Sequence, residues 1–457
     1  MKILITGATG FVGQKLGLEL VKAGHEVIVI SRQALKAQKS CPFPCTIIEA
    51  DLMMSPISKS QQDSLKGLDV VYHLMGDSIA EGSWTPEKQQ ALKDSRILST
   101  QHLRESLKNH QPKVFISASA IGIYGHRMDE ELNEESAAGQ GFLAQLCLDW
   151  EAEAKTFSQS RVVMARIGLV ISREGGILKE LLPVFQAGGG GALAGGKQWM
   201  SWIHRDDLVK GLIFVMDHSE IQGPVNMVGP QPVTNSEWTD LMGKNLKRPT
   251  FFAVPETGLK VVLGDKTAII TDSQKVSPKV LTQAGFKFQY SDLAEALSEE
   301  LKFHSQGEEV YVSYQYFSKP LEEVFTFFSQ AENLERITPE FLHFKIETPT
   351  PIKIEEGTLI EYSLKLHGVP FSWQTKIEKW NPPYEFVDQQ IKGPYALWHH
   401  THTFEKLNGG TLMKDEVRFK LPMGFLGWLG GRWLVKKEVE RIFTYRKDVM
   451  FKLYEQA

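Results

Sequence analysis

The chain has 457 residues, with 51 Lys plus Arg against 55 Asp plus Glu, a formal net charge of −4, 42% apolar residues and 23% charged ones. Those values exclude wholesale disorder and a chain built as a basic nucleic-acid binder, so no nucleic-acid partner is expected. At roughly 150 residues per domain the length predicts two or three domains.

Lys2 to Thr6 is a short apolar, β-branched run and reads as a buried strand. Gly7, Gly10 and Gly13 follow it, then a helical pattern to Ala23, with Gly24 where a helix-ending glycine belongs and a second strand from His25 to Ile30. Strand, glycine turn, helix and strand in about 30 residues form a dinucleotide-binding unit. The first glycine permits the tight turn, the second lets backbone approach a pyrophosphate, and the third lets helix pack on strand. The helix N-terminus offers its N–H groups to the phosphates.

An acidic residue at the end of the second strand hydrogen-bonds the adenosine ribose of NAD. Ser31 and Arg32 stand there instead. A carboxylate repels a 2′-phosphate and an arginine pairs with it, so NADP(H) is expected over NAD(H). Further strands are predicted at Thr46–Ile48, before Asp51 and Leu52; at Val70–Leu74, before Gly76; at Val114–Ser117, before Ser119; and at Val162–Ala165, before Arg166 and Gly168. Each ends in small or polar residues, where doubly wound sheets bind ligands. Asp51 is expected to accept from the adenine amino group, and Gly76 to admit the cofactor close to the backbone.

The glycines at 188–191, 195 and 196 read as a mobile loop over the site, carrying Lys197 and Trp199. His204 is expected to orient a loop, and Asp206 or Asp207 to cap the next helix. The polar segment His304–Glu309 marks the main boundary.

From Glu308 onward lie 13 of the 25 Phe, 8 of the 11 Tyr and 5 of the 10 Trp. Val310–Phe317 reads as a strand, and Pro320–Gln330 as a helix capped by Ser318. Strands are predicted around Phe344 and at Leu359–Leu366, Phe371–Trp380, Phe386–Ile391, His399–Phe404 and Leu412–Phe419, and a long helix at Gly424–Glu455. The aromatic residues are candidates to line a cavity for a small apolar ligand. His400 and His402 share a strand face, but no acid is near them, so no metal site is assigned. The apolar start of the last helix, Phe425–Leu429, reads as lining a cavity mouth rather than touching a membrane.

No run of about 18 apolar residues occurs, so no integral membrane segment is expected. The first residues lack signal-peptide features, and the three cysteines, Cys41, Cys45 and Cys147, are too few for a disulfide framework. A cytoplasmic setting is expected.

The glycine turn, Ser119 with Tyr124, and Trp202–Asp207 together resemble an extended short-chain dehydrogenase/reductase. More narrowly, residues 1–303 resemble its epimerase-like, cell-division-inhibitor-homologue subgroup. The matching segments are Ser31-Arg32, Trp84–Pro86, Ser95-Arg96, Trp150-Glu151, Arg166–Gly168 and Gly196–His204, with Val254–Phe286 similar to the subgroup's small C-terminal region. Ser83 stands where the subgroup has Arg. The resemblance implies cofactor contacts by Gly7, Thr9, Gly10, Phe11, Val12, Gly13, Ser31, Arg32, Asp51, Leu52, Gly76, Arg96, Ser117, Arg166 and Gly168.

The family's catalytic pair is Tyr-x-x-x-Lys on one helix, the Lys cation lowering the Tyr pKa. Before residue 308 only Tyr72, Tyr124 and Tyr290 occur, and none has Lys four residues later. The helix expected to carry the pair offers Cys147, Asp149 and Glu151. Ser119 is therefore expected to keep a substrate-facing role, with Tyr124 and His204 as candidate proton donors. Cys147 reads as a buried apolar side chain, and Glu151 as a surface charge or salt-bridge partner.

Residues 308–457 resemble the START-like (SRPBCC, polyketide cyclase/dehydrase-like) superfamily, which implies a curved sheet around a long helix. The expected fold class is an α/β Rossmann-type doubly wound parallel sheet with a small subdomain, followed by an α+β helix-grip domain. The expected boundaries are 1–230 for the NADP-binding domain, with substrate-side elements at 172–205; 231–305 for the small region; and 308–457 for the apolar-ligand domain. The expected function is an NADP(H)-dependent oxidoreductase of a small or apolar substrate. Its rivals are an NADPH-binding sensor or regulator linked to cell division and, more weakly, a nucleotide-sugar epimerase. Homo-oligomers are compatible with the fold class.

Overall fold

The described residues of the computed structural model are 1–366, 368–422 and 424–455, without the side chains of Phe425, Leu426, Trp428, Leu429 and Glu455. The expectation for the apolar start of the last helix therefore falls outside them. The chain divides into two units, 1–38 with 45–302, and 39–44 with 303–457.

The first unit is built on a seven-stranded sheet: β1 (Lys2–Thr6), β2 (Glu26–Ser31), β3 (Thr46–Glu49), β4 (Val70–His73), β5 (Val114–Ala120), β6 (Arg161–Ile167) and β7 (Gly223–Met227). Its order is β7-β6-β5-β4-β1-β2-β3, with every pair parallel. Parallel strands covered on both faces read as continuous apolar runs. Accordingly Ile3, Leu4 and Ile5 are fully buried, and so is every residue of β4. The reversal of direction around β1 and β4 places the carboxyl ends of β1, β2 and β4 around one crevice.

The small region, around residues 231–301, is stitched to this sheet by polar anchors. A capping box joins Thr234 and Glu237 at the start of the helix Asn235–Leu246. Asp292 caps the helix Leu293–Leu301, and Glu300 at its end accepts from the backbone of Arg173. Two expectations are corrected here. The helix Arg205–Asp217 is capped by the His204 side chain, not by Asp206 or Asp207. The Asp207 carboxylate instead accepts from the backbone of Gln289 and Tyr290, at 2.7 and 2.9 Å. The glycine run is not a free loop. Ala194 and Val254 are bonded at 2.9 Å, and the Leu193 N–H donates to Asn235 at 2.8 Å. A Cβ on Gly191 would fall on the Phe252 carbonyl, so this glycine allows close packing rather than hinging.

The second unit is a seven-stranded antiparallel sheet: β8 (Glu309–Phe317), β9 (Lys345–Ile346), β10 (Leu359–Leu366), β11 (Val369–Asn381), β12 (Glu385–Lys392), β13 (Leu397–Leu407) and β14 (Gly410–Lys420). The order is β8-β14-β13-β12-β11-β10-β9. Strands β13 and β14 alternate buried and open residues over much of their length, as a sheet with one covered face requires. The long helix Gly424–Glu455 lays Val439 and Phe443 against Val417 and Phe419. The short helix after β8 runs Leu321–Phe328 with Pro320 at its cap, so the cap expected from Ser318 is corrected: Pro320 fixes the backbone turn into the helix. No helix among the described residues is long and apolar enough to cross a membrane.

Candidate functional site

A cleft of about 590 Å³ opens at the carboxyl ends of β1, β2 and β4. Pockets of about 300–1,000 Å³ suit cofactor-sized ligands. Its floor is the turn Gly7–Gly10. Gly7 has φ of +74°, and a Cβ there would lie 2.9 Å from the Leu74 carbonyl carbon. A Cβ on Gly13 would lie 2.3 Å from the Gly7 oxygen, so this glycine brings the helix Phe11–Lys22 onto the turn. That helix starts at Gly10 with no side-chain cap, leaving its first N–H groups to a ligand.

Thr9, Ser31, Arg32, Leu52 and Gly76 also line the cleft. Arg32 has no ion pair among the described residues and is exposed to solvent. Lys36 lines the same wall, four residues on. It was missed in the sequence, and it stands in the first turn of the helix Ala34–Ser40 that follows Arg32.

Other expected cofactor residues lie elsewhere. Asp51 turns its carboxylate onto the Met53 N–H at 3.0 Å, while its neighbours Ala50 and Leu52 line the cleft. Arg96 is buried beneath Gly76, whose Cβ would sit 3.2 Å from the guanidinium carbon. It donates to the carbonyls of Leu92 and Asp77, at 2.9 and 3.1 Å, and so shapes the loop after β4. Ser117 is buried and bonded to the next carbonyl. Phe11 and Val12 are half-buried in the first helical turn, where the Arg205 guanidinium stacks 5.0 Å over the Phe11 ring. Gly168 permits a tight junction, since its Cβ would lie 2.6 Å from the Ser201 oxygen.

Two of the three expected catalytic residues, Ser119 and Tyr124, meet in one buried network beyond β5 and β6. Ser119 donates to Glu151 at 2.8 Å. Arg166 grips the same carboxylate through Nε and Nη2, at 2.8 and 2.9 Å. Its Nη1 donates to the Tyr124 hydroxyl at 2.9 Å, and that hydroxyl lies 2.7 Å from Asn226 Oδ1. Burial pushes the Tyr124 phenol up. Glu151 is thus no surface charge but the buried partner of Arg166, 3% exposed. Four residues earlier on the same helix, burial pushes the Cys147 thiol up to about 11, so it stays protonated. His204 is not in this network. It is buried, and its Nε2 lies 2.8 Å from Glu300 Oε1.

In the second unit a cavity of about 200 Å³ is lined by Ile360, Tyr362, Leu364, Trp373, Ile377 and Trp398 among others. Its polar end is formed by Asp388, His400, His402 and Arg446. The expectation of two histidines without an acid is corrected by strand register. Asp388 stands directly opposite His400 across β12 and β13, and Asp415 opposite His402 across β13 and β14. His399 points to the other face, 3.4 Å from Glu378.

Residues 3–228 match the model of the NAD dependent epimerase/dehydratase family, 254–300 match a domain of unknown function, and 317–443 match the polyketide cyclase/dehydrase and lipid transport family. An epimerase family protein of Mycobacterium bovis is 36% identical over 301 residues, 65% of this chain and 96% of that protein. An epimerase family protein of Bacillus subtilis is 33% identical over 65% of this chain and 97% of its own length. Among solved structures, the human epimerase family protein SDR39U1 with NADPH is 28% identical, with a TM-score of 0.58 over 66% of this chain and 99% of that one. A nucleoside-diphosphate sugar epimerase from Corynebacterium glutamicum is 32% identical, with a TM-score of 0.52, over 66% of this chain and 58% of that one.

Proposed function

The chain belongs to the epimerase family, and on that premise we propose that it is an NADP(H)-binding oxidoreductase of the atypical short-chain type, whose C-terminal unit holds a small apolar ligand. One observation carries the cofactor reading: the end of β2 offers Ser31 and Arg32, with Lys36 also lining the cleft, while the carboxylate in the lining, Asp77, lies after β4 and is paired with Lys88. Two cations suit a 2′-phosphate where a carboxylate would repel it. The human relative solved with NADPH supports the same choice. The Gly7–Gly13 turn and the uncapped helix start hold the pyrophosphate in this reading.

A reduced nicotinamide held there would supply a hydride to the substrate. The chain's own part is to hold the substrate oxygen. Ser119, Tyr124 and His204 all hold internal bonds, and this role is assigned to the one at the end of β5, which would exchange its bond to Glu151 for one to the substrate: Ser119. Its hydroxyl sits at the carboxyl end of β5, and Glu151 and Arg166 fix its position. The apolar lining of the C-terminal cavity suits a small apolar substrate.

The commitment of Tyr124 and His204 also favours a second reading, a nucleotide-binding regulator without turnover. The experiment that separates the two identifies apolar compounds bound to the purified full chain by mass spectrometry and incubates each with protein and NADPH. The oxidoreductase reading expects NADPH consumption with a reducible compound, at least tenfold slower in Ser119→Ala. Tight NADPH binding without any consumption would give the second reading precedence.

A further inference from the structure

The polar end of the C-terminal cavity has a geometry that hydrogen bonding alone does not complete. Strands β12, β13 and β14 bring two imidazoles between two carboxylates. His400 Nδ1 and His402 Nε2 both face Asp388 Oδ2, at 3.5 and 2.9 Å. Their opposite nitrogens, His400 Nε2 and His402 Nδ1, both face Asp415 Oδ1, at 3.0 and 2.9 Å. The ring centroids lie 3.7 Å apart, with the planes tilted by 41°. All four side chains are buried or nearly so.

We propose that Asp388, His400 and His402 bind a divalent first-row transition-metal ion at the polar end of this cavity, with Asp415 as the shared outer carboxylate that orients both histidines. Three observations carry this. First, the three donor atoms lie within 4.8 Å of one another, close enough to converge on one ion. Two imidazoles and one carboxylate suit zinc or ferrous iron, and three protein ligands leave a coordination position open toward the cavity. Second, a metal-ligating histidine characteristically gives its other ring nitrogen to a carboxylate. Here one carboxylate faces the second nitrogen of both rings, and Arg446 at 3.6 Å balances its charge.

Third, the metal-free arrangement leaves groups uncompensated. His402 Nδ1 is 2.9 Å from Asp415 but out of line for a hydrogen bond, and Arg446 Nε is buried with no partner. Buried polar atoms in folded proteins are almost all bonded. Asp388 has no lysine or arginine within ion-pair distance among the described residues, although a buried carboxylate needs a counter-charge. A divalent ion supplies one.

The test uses the full chain, stripped with a chelator and titrated with Co²⁺ as a spectroscopic probe, then with Zn²⁺ in competition. The expected result is one equivalent bound, with visible absorption bands, displaced by Zn²⁺. Binding should weaken by more than 100-fold in His402→Ala and Asp388→Asn. In Asp415→Asn it should weaken about 10- to 100-fold, the range for an outer-shell carboxylate. His399→Ala, on the opposite face, should bind as the wild type does. Circular dichroism checks that each variant folds, and the wild-type titration stands without them. A wild-type chain that takes up no Co²⁺ or Zn²⁺ at micromolar concentration overturns the proposal and leaves a metal-free hydrogen-bonded cluster. Stoichiometric binding that persists in both His402→Ala and Asp388→Asn also overturns it.

Discussion

Each unit of the protein holds a buried cluster of charged and polar side chains beside its candidate site, and the two clusters are finished differently. In the N-terminal unit, Ser119, Glu151, Arg166 and Tyr124 form a closed set: both Glu151 oxygens and all three Arg166 nitrogens are bonded. In the C-terminal unit, Asp388, His400, His402 and Asp415 leave His402 Nδ1 unaligned and, among the described residues, Asp388 without a lysine or arginine ion pair. A closed cluster acts as a brace, here between the helix Phe142–Ala154 and the ends of β5 and β6. An open one at the end of a cavity is poised for something to complete it. Satisfied networks rigidify a fold, while incomplete ones call for a reason.

The largest expected effect tests the closed side. Arg166→Met leaves Glu151 charged and alone in the interior, and loss of one partner of a buried pair costs about 3–5 kcal/mol. Urea unfolding should show that loss. The double variant Arg166→Met with Glu151→Gln should recover much of it, because no charge is then stranded. A single variant as stable as the wild type would show that the network is not a brace.

The two sites also differed in how far the sequence disclosed them. The nucleotide cleft was legible because its parts are local: Gly7, Gly10 and Gly13 lie within one turn and helix start, and Arg32 directly follows β2. Even so, Lys36 was overlooked, and Asp51 and Arg96 were given contacts that the structure spends on a turn and on the loop after β4. Most strands of both sheets were legible from apolar runs and alternation, with ends shifted by up to three residues, but β7 was not read. The cavity cluster was not legible. His400 and His402 are two residues apart, but Asp388 and Asp415 become their neighbours only through strand register. Register is set by hairpin geometry and by which face is buried, not by any local motif. The cap by His204 and the pinned glycine run were misread for a related reason, since tertiary partners, Glu300 and Val254, decided both.

A second substitution sharpens the contrast between a local and an assembled site. Gly13→Val should cost about 1–3 kcal/mol by overpacking, because the new side chain meets the backbone of Gly7 and Ala8. Fluorescence titration should find NADPH binding lost, while metal uptake in the C-terminal unit stays unchanged. Loss of both functions would mean that the two sites are not independent.

A smaller effect concerns His73, which is buried between Thr6 and Thr100, with its nitrogens 2.8 and 3.0 Å from their hydroxyls. Burial lowers its pKa to about 3 from 6.5. The unfolded chain therefore takes up the proton first as pH falls, and the native state loses stability from about pH 6.5 down to about 3. The slope from this group is about 1.4 kcal/mol per pH unit. Urea unfolding at pH 7, 6 and 5 should show it, and His73→Asn should flatten it. An unchanged slope would assign the acid sensitivity to other groups.

The central claim is that the N-terminal cleft reads the 2′-phosphate of NADP(H) through Arg32. Its most direct test is an equilibrium titration of the full chain, wild type and Arg32→Ala, with NADPH and with NADH. The prediction is that Arg32→Ala loses about 1–3 kcal/mol of NADPH affinity, roughly 5- to 150-fold, and leaves NADH affinity unchanged. Equal losses for both nucleotides, or no nucleotide binding by the wild type, would contradict it.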